Sequence, residues 1–233
     1  MMELSRRLNA VANMISRDNK VADIGCDHGY VAIYLRENNI SPRVIALDIN
    51  KRPLAKAREH CDKYGYPEIE TRLSNGLDAL EIGEVDTVVC AGMGGKLVID
   101  ILAKSLDKVR KLRECIIQPQ SDIEYVRRKL REMDIQIIDE DFIYDDGKFY
   151  PILKLIPLDV GSLKNVRFKD YEYKYGCHLQ VEQNVDFKTY LLGKKSKFEE
   201  IMQLLIENNL DGRNDNRIKE LGIELRDISE VLK

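Results

Sequence analysis

The order of apolar and polar positions divides the chain into two parts. Over residues 1–158, short apolar runs alternate with stretches in which apolar residues recur every three or four positions. The first pattern is typical of buried strands, and the second is typical of helices with one apolar face. The predicted strands are Val21–Ile24, Val44–Asp48, Ile69–Leu73, Asp86–Ala91, Glu114–Ile117, Ile135–Tyr144 and Phe149–Ile156.

The predicted helices lie before and between these strands. They are an N-terminal helix containing Leu4, Leu8, Val11, Ala12 and Ile15, then Tyr30–Asn38, a helix from Pro53 to about Tyr64, Lys96–Ala103, and a helix to Met133 that opens with a capping box of Ser121 and Glu124. This alternation predicts an α/β fold, in which helices cover both faces of a mostly parallel sheet. Asp145-Asp146-Gly147 predicts a hairpin turn, so one antiparallel strand is expected at the edge of the sheet.

Residues 159–233 have a helical pattern and few strand signals. Apolar residues recur at spacings of three and four in two stripes, separated by the polar stretch 208–216. The stripes are Leu191, Phe198, Ile201 and Leu205, with Lys194 in the gap, and Ile218, Leu221, Leu225, Ile228 and Leu232. Two antiparallel helices paired like a short coiled coil are the simplest arrangement. This hairpin either packs on the first part or has a functional role of its own.

Composition and charge limit the classes of protein to consider. Of the 233 residues, 44% are hydrophobic and 33% charged, no apolar run is long enough to cross a bilayer, and the N-terminus has no signal-peptide core. The five cysteines are widely spaced and form no C-x-x-C pair. We expect a globular protein of the reducing cytoplasm, without a membrane partner. The net charge is −3, but basic clusters at 109–113, 127–131 and 194–197 are either solvated helix faces or phosphate-contacting surfaces.

The stretch D-I-G-C-D-H-G-Y, Asp23 to Tyr30, crowds reactive side chains into a predicted loop. A metal site is disfavoured because Cys26, Asp27 and His28 are consecutive, and consecutive side chains rarely converge on one ion. Nucleophilic catalysis by Cys26 needs an oriented base, and a histidine two residues away in a loop has no particular geometry. The third alternative is a loop that binds a cofactor.

The position of this stretch favours the cofactor loop. It joins the first strand to the next helix, where parallel α/β sheets bind ligands, and Asp48 ends the second strand where an acid accepts hydrogen bonds from a ribose. Gly25 permits a tight turn, and Gly29 lets the helix start lie close to the sheet or the ligand. An acid at position 23 would repel a pyrophosphate but attract a ligand with an ammonium and a sulfonium group. S-adenosylmethionine is therefore favoured over NAD.

Two further stretches follow strands at the same predicted edge of the sheet. R-L-S-N-G-L, Arg72 to Leu77, includes Asn75, a candidate to hydrogen-bond the edge of an adenine. A-G-M-G-G, Ala91 to Gly95, follows the fourth strand. It is either a glycine-rich loop that lets ligands approach the backbone or a plain turn into the next helix.

Together these stretches resemble the TrmK family, bacterial methyltransferases that act on N1 of adenine 22 in tRNA. The matching stretches are L-S-R-R-L-N-A-V-A (4–12), A-D-I-G-C-D-H-G-Y (22–30), Asp48 in A-L-D-I-N, N-G-L (75–77), A-G-M-G-G (91–95), I-I-Q-P-Q (116–120) and D-D-G-K-F-Y (145–150). The family usually reads S-D-H-A-Y where this chain has C-D-H-G-Y. It has an acid in place of Asn75, and Q-P-N in place of Gln118-Pro119-Gln120.

The resemblance implies a Rossmann-like class I methyltransferase domain over residues 1–158 and a helical, coiled-coil-like domain over 159–233 that contacts tRNA. It implies S-adenosyl-L-methionine as the cofactor, tRNA as the partner, no metal, and a monomer as a plausible state. The implied cofactor-binding residues are Asp23, Gly25, Cys26, Asp27, His28, Gly29, Tyr30, Asp48, Ile49, Asn75, Gly76, Ala91, Gly92 and Met93. The candidate RNA-binding residues are Arg6, Arg7, Arg127, Arg128, Lys194 and Lys195, and the candidate catalytic residues are Asp27 and His28.

The chemistry of adenine N1 is compatible with these assignments. N1 carries an in-plane lone pair, so holding it in line with the sulfonium methyl should supply much of the rate. The base must first be unpaired or flipped out. Methylation leaves a positive charge that a carboxylate or carbonyl can stabilise, or a base can take a proton from the exocyclic amine. Asp27 is the first candidate, with His28 and the Met93 backbone nearby.

Three rival functions stay open on the sequence. The first is a methyltransferase for a small molecule or a protein, with the C-terminal helices as a lid or dimer element. The second is a catalytically silent RNA-binding protein with a vestigial cofactor pocket. The third is an NAD-binding oxidoreductase.

Overall fold

The computed structural model describes residues 2–164, 166, 168–179, 181–209 and 212–233. The chain forms two compact units, Met1–Val166 and Arg167–Lys233. The boundary predicted after residue 158 lies shortly before this division, just beyond the last strand of the first unit. Among the described helices, none is long and apolar enough to cross a bilayer.

Strands and helices alternate along the first unit, and the second unit contains helices. The strands are β1 (Val21–Ile24), β2 (Val44–Asp48), β3 (Glu70–Leu73), β4 (Thr87–Met93), β5 (Glu114–Pro119), β6 (Ile135–Asp145) and β7 (Lys148–Pro157). The helices of the first unit are α1 (Arg6–Asn13), α2 (Tyr30–Glu37), α3 (Lys51–Tyr64), α4 (Gly95–Lys104), α5 (Leu106–Val109) and α6 (Ile123–Glu132). Those of the second unit are α7 (Asp170–Tyr175), α8 (Val185–Glu207) and α9 (Asp215–Val231).

The seven strands form one sheet in the order β3-β2-β1-β4-β5-β7-β6. The first five strands are parallel, whereas β7 is antiparallel to both β5 and β6. The prediction of an antiparallel strand at the edge is therefore wrong in position, because β7 inserts between β5 and β6. The predicted hairpin turn is present: Asp146 (φ 45°) and Gly147 (φ 77°) both have the positive φ that a type I′ turn requires.

The interior strands are apolar on both faces because helices cover both sides of the sheet. Every residue of β1, β2 and β5 is buried. The parallel register places Ile24 of β1 beside Leu47 of β2 and Cys90 of β4. The segments that follow these strands consequently meet at one edge of the sheet, where parallel α/β folds bind their ligands.

Strand β4 continues further than its sequence pattern predicts. It runs through Met93, so the first three residues of A-G-M-G-G are strand and not loop. Ala91 pairs with Gln118 and Met93 with Pro119, and the register shifts between them. Gly92 has a φ of 83° at this shift, a conformation that favours glycine. This bulge gives the ligand-binding edge of the sheet a locally irregular backbone.

The predicted capping box at the start of α6 is absent. Asp122 (φ 55°) precedes the helix and makes no side-chain cap hydrogen bond. The hydroxyl of Ser121 is used elsewhere: it accepts a hydrogen bond from the Gly95 N–H at 3.3 Å and donates one to Asp122 at 2.7 Å. Ser121 therefore joins the start of α6 to the start of α4.

The basic cluster on α6 contains one buried arginine. The Arg127 side chain is 4% exposed and forms a 2.7 Å ion pair with Glu140 on β6, whose side chain is 0% exposed. The prediction that Arg127 contacts RNA is wrong, because a phosphate cannot reach this guanidinium. Arg128 is 40% exposed and pairs with Glu124 one turn away on the same helix.

In the second unit, α9 packs against α7 and α8. The predicted apolar stripes contribute buried residues to this unit: Leu191 on α8, and Leu221 and Ile228 on α9. Lys194 is half-exposed, with its ammonium 4.8 Å from the ring centre of Tyr175 and 5.3 Å from that of Phe198. Lys195 is also half-exposed. Both residues stay predicted phosphate contacts. Residues 210 and 211 of the predicted polar break lie outside the described residues.

We expect Arg127→Met to lower the free energy of unfolding by about 3 kcal/mol or more, since it leaves the Glu140 carboxylate buried without its cation. The matched variant Arg128→Met should change that free energy by about 0.5 kcal/mol or less, because exposed i,i+4 pairs contribute little. Urea denaturation of both variants measures the difference. Equal destabilisation by the two substitutions would contradict the assignment of Arg127 to the interior.

Candidate active site

A cavity of about 330 Å³ opens at the carboxyl end of the sheet in the first unit. Its wall is built from the start of α1, the loop after β1, the end of β4 and the residue after β5. The lining residues are Arg7, Leu8, Asp23, Gly25, Cys26, Asp27, His28, Tyr30, Val31, Ala91, Gly92, Met93 and Gln120. Most of the residues singled out in D-I-G-C-D-H-G-Y therefore surround one space.

Backbone hydrogen bonds hold the loop after β1 in a fixed shape. The N–H groups of Gly25 and Cys26 both donate to the carbonyl of Leu47 on β2, at 2.8 and 3.0 Å. The N–H of Gly29 then donates to the carbonyl of Cys26 at 2.7 Å. Gly25, Asp27 and Gly29 all have positive φ values, so the chain reverses tightly and places the Asp27 side chain outward.

The two glycines of this loop serve different contacts. A β-carbon at Gly25 would overlap the terminal methyl of Met93, so this glycine brings the loop against the end of β4. A β-carbon at Gly29 would lie 3.1 Å from that of Ala57, so the close approach here is to α3. The sequence predicted that Gly29 would let the start of α2 approach the sheet or a ligand. The structure instead shows a close approach to Ala57 of α3.

The carboxylate of Asp23 lies at the base of this site and is buried. Burial, together with the nearby negative charge of Asp48, raises the pKa of Asp23 to about 7. A buried acid beside another acid is costly to ionise unless a cation is supplied. The site therefore fits a ligand with an ammonium group, and the buried acid disfavours a pyrophosphate.

The remaining predicted cofactor residues lie beyond the ends of β2 and β3. Asp48 accepts a hydrogen bond from the Asn50 N–H at 2.8 Å through one carboxylate oxygen, and the other has no hydrogen-bond donor among the described residues. Ile49 is 60% exposed and Asn75 is exposed, whereas Gly76 is buried against Ile101. A carboxylate with one oxygen available as an acceptor, next to an exposed apolar side chain, is suited to a nucleoside.

A methyltransferase-domain family model matches residues 4–153 of the chain. The tRNA (adenine(22)-N(1))-methyltransferase of Bacillus subtilis (strain 168) is 28% identical over 232 residues, which cover 99% of this chain and 98% of that protein. The chain belongs to the TrmK methyltransferase family.

Solved structures of TrmK proteins have the same fold. The crystal structure of B. subtilis TrmK has a TM-score of 0.83 and 28% identity, with 100% of both chains covered. The structure of M. capricolum TrmK in complex with S-adenosyl-homocysteine has a TM-score of 0.78 and 28% identity, again covering 100% of both chains. The two-part architecture thus extends over the full length of these relatives.

Within this TrmK fold, Cys26 does not have the surroundings of a nucleophile. It is buried, and burial, followed by the negative charges of Asp23 and Asp48, raises the pKa of its thiol. A thiol held in the neutral form is a poor nucleophile. In the described part of the chain, no three His, Cys, Asp or Glu residues are grouped so that they could hold a metal ion.

The two candidate catalytic residues lie at the mouth of the cavity. The Asp27 side chain is 72% exposed, and its Oδ1 lies 3.5 Å from Nε2 of His28. The His28 ring stacks on Tyr30 with a centroid distance of 5.5 Å and on His60 with one of 5.6 Å. Nδ1 of His28 is buried and has no hydrogen-bond partner among the described residues. Aromatic packing thus fixes His28, whereas Asp27 extends toward solvent.

Sequence reasoning gave no position to the residues on the opposite wall. Arg7 Nη1 donates to Gln118 Oε1 at 2.7 Å, and the same oxygen accepts a hydrogen bond from the Gly92 N–H at 3.2 Å. Gln120 also lines the cavity, and its N–H donates to the carbonyl of Met93 at 2.8 Å. Of the motifs L-S-R-R-L, I-I-Q-P-Q and D-D-G-K-F-Y, the sequence assigned a role only to Arg6 and Arg7, as candidate RNA-binding residues. It did not predict that Arg7, Gln118 and Gln120 meet beside this cavity.

We expect Asp23→Asn to raise the free energy of unfolding at pH 8 relative to the natural chain. Asp23 ionises near its ordinary value of 3.8 in the unfolded chain but near 7 in the folded protein, so folding takes up a proton between these values. Stability should therefore fall as the pH rises through this window, by about 1.4 kcal/mol for each unit by which the pKa is raised.

Asparagine resembles the protonated acid. The difference in the free energy of unfolding between the variant and the natural chain should therefore be largest above pH 7 and should shrink toward pH 4. Urea denaturation across this range measures it. Parallel pH profiles for the two proteins would show that Asp23 is not an uncompensated buried acid.

Proposed function

We propose that this protein transfers the methyl group of S-adenosyl-L-methionine to N1 of adenine 22 in tRNA. The observation that carries the proposal is the buried Asp23 carboxylate at the base of a cavity that also opens to Arg7 and Gln120. Such a cavity has one wall suited to a cationic cofactor and another suited to a polar, anionic substrate. The relatives described above act on this position of tRNA or carry the demethylated cofactor.

The cofactor contacts follow from the positions of the acids and glycines. Asp23 would hold the ammonium group, Asp48 the ribose hydroxyls, and Ile49 with Asn75 and Gly76 the adenine. Gly25 and Gly92 keep the backbone free of side chains where the loop after β1 faces the end of β4. When bound, the cofactor supplies a methyl group on a positively charged sulfur, which makes that methyl electrophilic.

The protein's main contribution to the reaction is positioning. The N1 lone pair of an extruded adenine attacks the methyl carbon as the bond from carbon to sulfur breaks, so no prior deprotonation is required. The base then carries one positive charge. Asp27 would stabilise that charge or take a proton from the exocyclic amine. Nε2 of His28 lies 3.5 Å from its carboxylate.

Contacts to the rest of the tRNA would come from exposed basic residues of both units. Within the predicted set, Arg6 is exposed and four residues are half-exposed: Arg7, Arg128, Lys194 and Lys195. The helical unit would add a second surface, as the domain assignment predicts. A cytoplasmic location and a monomeric state accompany this proposal as further predictions.

The proposal is tested by incubating the purified protein with S-adenosylmethionine carrying a labelled methyl group and an unmodified tRNA transcript. We expect label in the tRNA and a reverse-transcription stop at position 22, because a methyl group on N1 blocks base pairing. A transcript with guanine at position 22 is the matched control and should stay unlabelled. Asp23→Asn should reduce the rate at least tenfold, because it removes the charge that holds the ammonium group.

Each rival function predicts a different result from the same reagents. A methyltransferase for small molecules or proteins would leave tRNA unlabelled in the presence of active cofactor. A silent RNA-binding protein would bind the transcript without labelling it. An oxidoreductase would be stabilised against heat by NAD and not by S-adenosylmethionine. Equal labelling of both transcripts would overturn the assignment to adenine 22.

A further inference from the structure

Arg7 on α1 lines the cavity beside β5, and few of its hydrogen-bond donors have a partner. Arg7 is the one permanently cationic side chain among the described residues that line the cavity. Its guanidinium makes one side-chain hydrogen bond, to Gln118 Oε1 at 2.7 Å, and lies 5.3 Å from the ring centre of Tyr150. Among the described residues it has no carboxylate partner.

Four elements fix the position of this guanidinium. The backbone N–H of Arg7 donates to Asp145 of β6 at 3.0 Å, which anchors the first turn of α1. Gln118 is fully buried on β5 and accepts hydrogen bonds from both Arg7 and the Gly92 N–H. The ring of Tyr150 on β7 supports the guanidinium through a cation–π contact. Holding an arginine side chain in one position costs rotamer entropy. These contacts pay that cost before a ligand binds, so the Arg7 guanidinium is already in position.

The charges within the cavity are separated. Asp23 and Asp27 belong to β1 and the loop after it, whereas the Arg7 guanidinium lies beside Gly92 of β4 and Gln118 of β5. A half-buried cation with neutral partners is partly desolvated, and an anionic ligand would compensate it. The acidic wall suits the cationic cofactor, so the anion belongs to the second ligand. In an RNA substrate the only anions are the phosphodiesters.

We propose that Arg7 forms a phosphate-binding subsite for the RNA strand at the target adenosine, with Gln118 as the residue that positions it. This inference rests on the proposed function. The guanidinium fork can donate two parallel hydrogen bonds to a phosphodiester at the cavity mouth. Because phosphate contacts set the register of a nucleic acid, the subsite would place adenine N1 relative to the cofactor.

The subsite is tested with Arg7→Met, which removes the charge and keeps an unbranched side chain, and Arg7→Lys, which keeps the charge. Arg17→Met is the matched control, because Arg17 is exposed before β1, at the opposite end of the sheet. The full-length proteins are compared in tRNA binding over a series of salt concentrations, in methylation kinetics, and in S-adenosylmethionine affinity.

We expect Arg7→Met to weaken tRNA binding about tenfold at low salt and to reduce the slope of log K against log[salt] by about 1, as the loss of one phosphate contact requires. Its affinity for S-adenosylmethionine should stay within about twofold of the natural protein, since the acidic wall is intact. Arg7→Lys should restore the full slope, because the charge is kept, but only part of the binding, because an ammonium cannot donate the paired hydrogen bonds of a guanidinium. Arg17→Met should change neither quantity.

A second measurement locates the phosphate. The substrate is tRNA with uncharged methylphosphonate linkages on both sides of adenosine 22. The natural protein should methylate it more slowly than normal tRNA. The Arg7→Met variant should methylate both tRNAs at the same rate. An unchanged salt slope in Arg7→Met, or a penalty from the neutral linkages that persists in that variant, would overturn the subsite. Failure of the natural protein to label tRNA at all would instead overturn the proposed function.

Discussion

The carboxylate of Asp23 lies buried at the carboxyl end of β1, with Asp48 at the end of the neighbouring strand. The negative charge of Asp48 opposes the ionisation of Asp23, and the raised pKa of Asp23 follows first from its burial and then from Asp48. No cation among the described residues pairs with the Asp23 carboxylate, so this arrangement costs stability in the free protein. It becomes favourable when a ligand brings a positive charge, which is the property expected of a binding site and not of a folding core.

The fold accounts for how that acid and the substrate-facing residues come together. Parallel strands end at one edge of the sheet, so the loop after β1 and the end of β4 face each other across the cavity. The order β4-β5-β7-β6 then brings α1, Gln118 and the β6–β7 hairpin to the other side. The result is a cavity with an acidic wall and a basic wall, which matches a cationic methyl donor beside a polyanion.

Local sequence patterns predicted most of the fold because they report on burial and turn geometry. The strands β1, β2 and β5 are runs of residues buried on both faces, and Asp146-Gly147 has the chemistry of its turn. The cofactor loop was predictable from Asp23, Gly25 and their order relative to the first strand. The convergence of the motifs that contain Arg7 and Gln118 was not predictable, since these two residues are 111 positions apart.

The predictions that failed depend on partners far along the chain or on competing local bonds. Arg127 has the pattern of an exposed basic face, but Glu140 draws it into the interior from another element. Ser121 has the spacing of a capping box, but Gly95 and Asp122 engage its hydroxyl.

The central claim is that the cofactor's ammonium group ionises Asp23, and the protons exchanged on binding measure this directly. At pH 6 the ammonium is already charged, since α-amino groups titrate near 8, whereas Asp23 is largely protonated in the free protein. Calorimetric titration with S-adenosylmethionine in buffers of different ionisation enthalpy should show release of close to one proton per cofactor, and Asp23→Asn should release none. Binding without proton release at pH 6, or equal release by both proteins, would contradict the account.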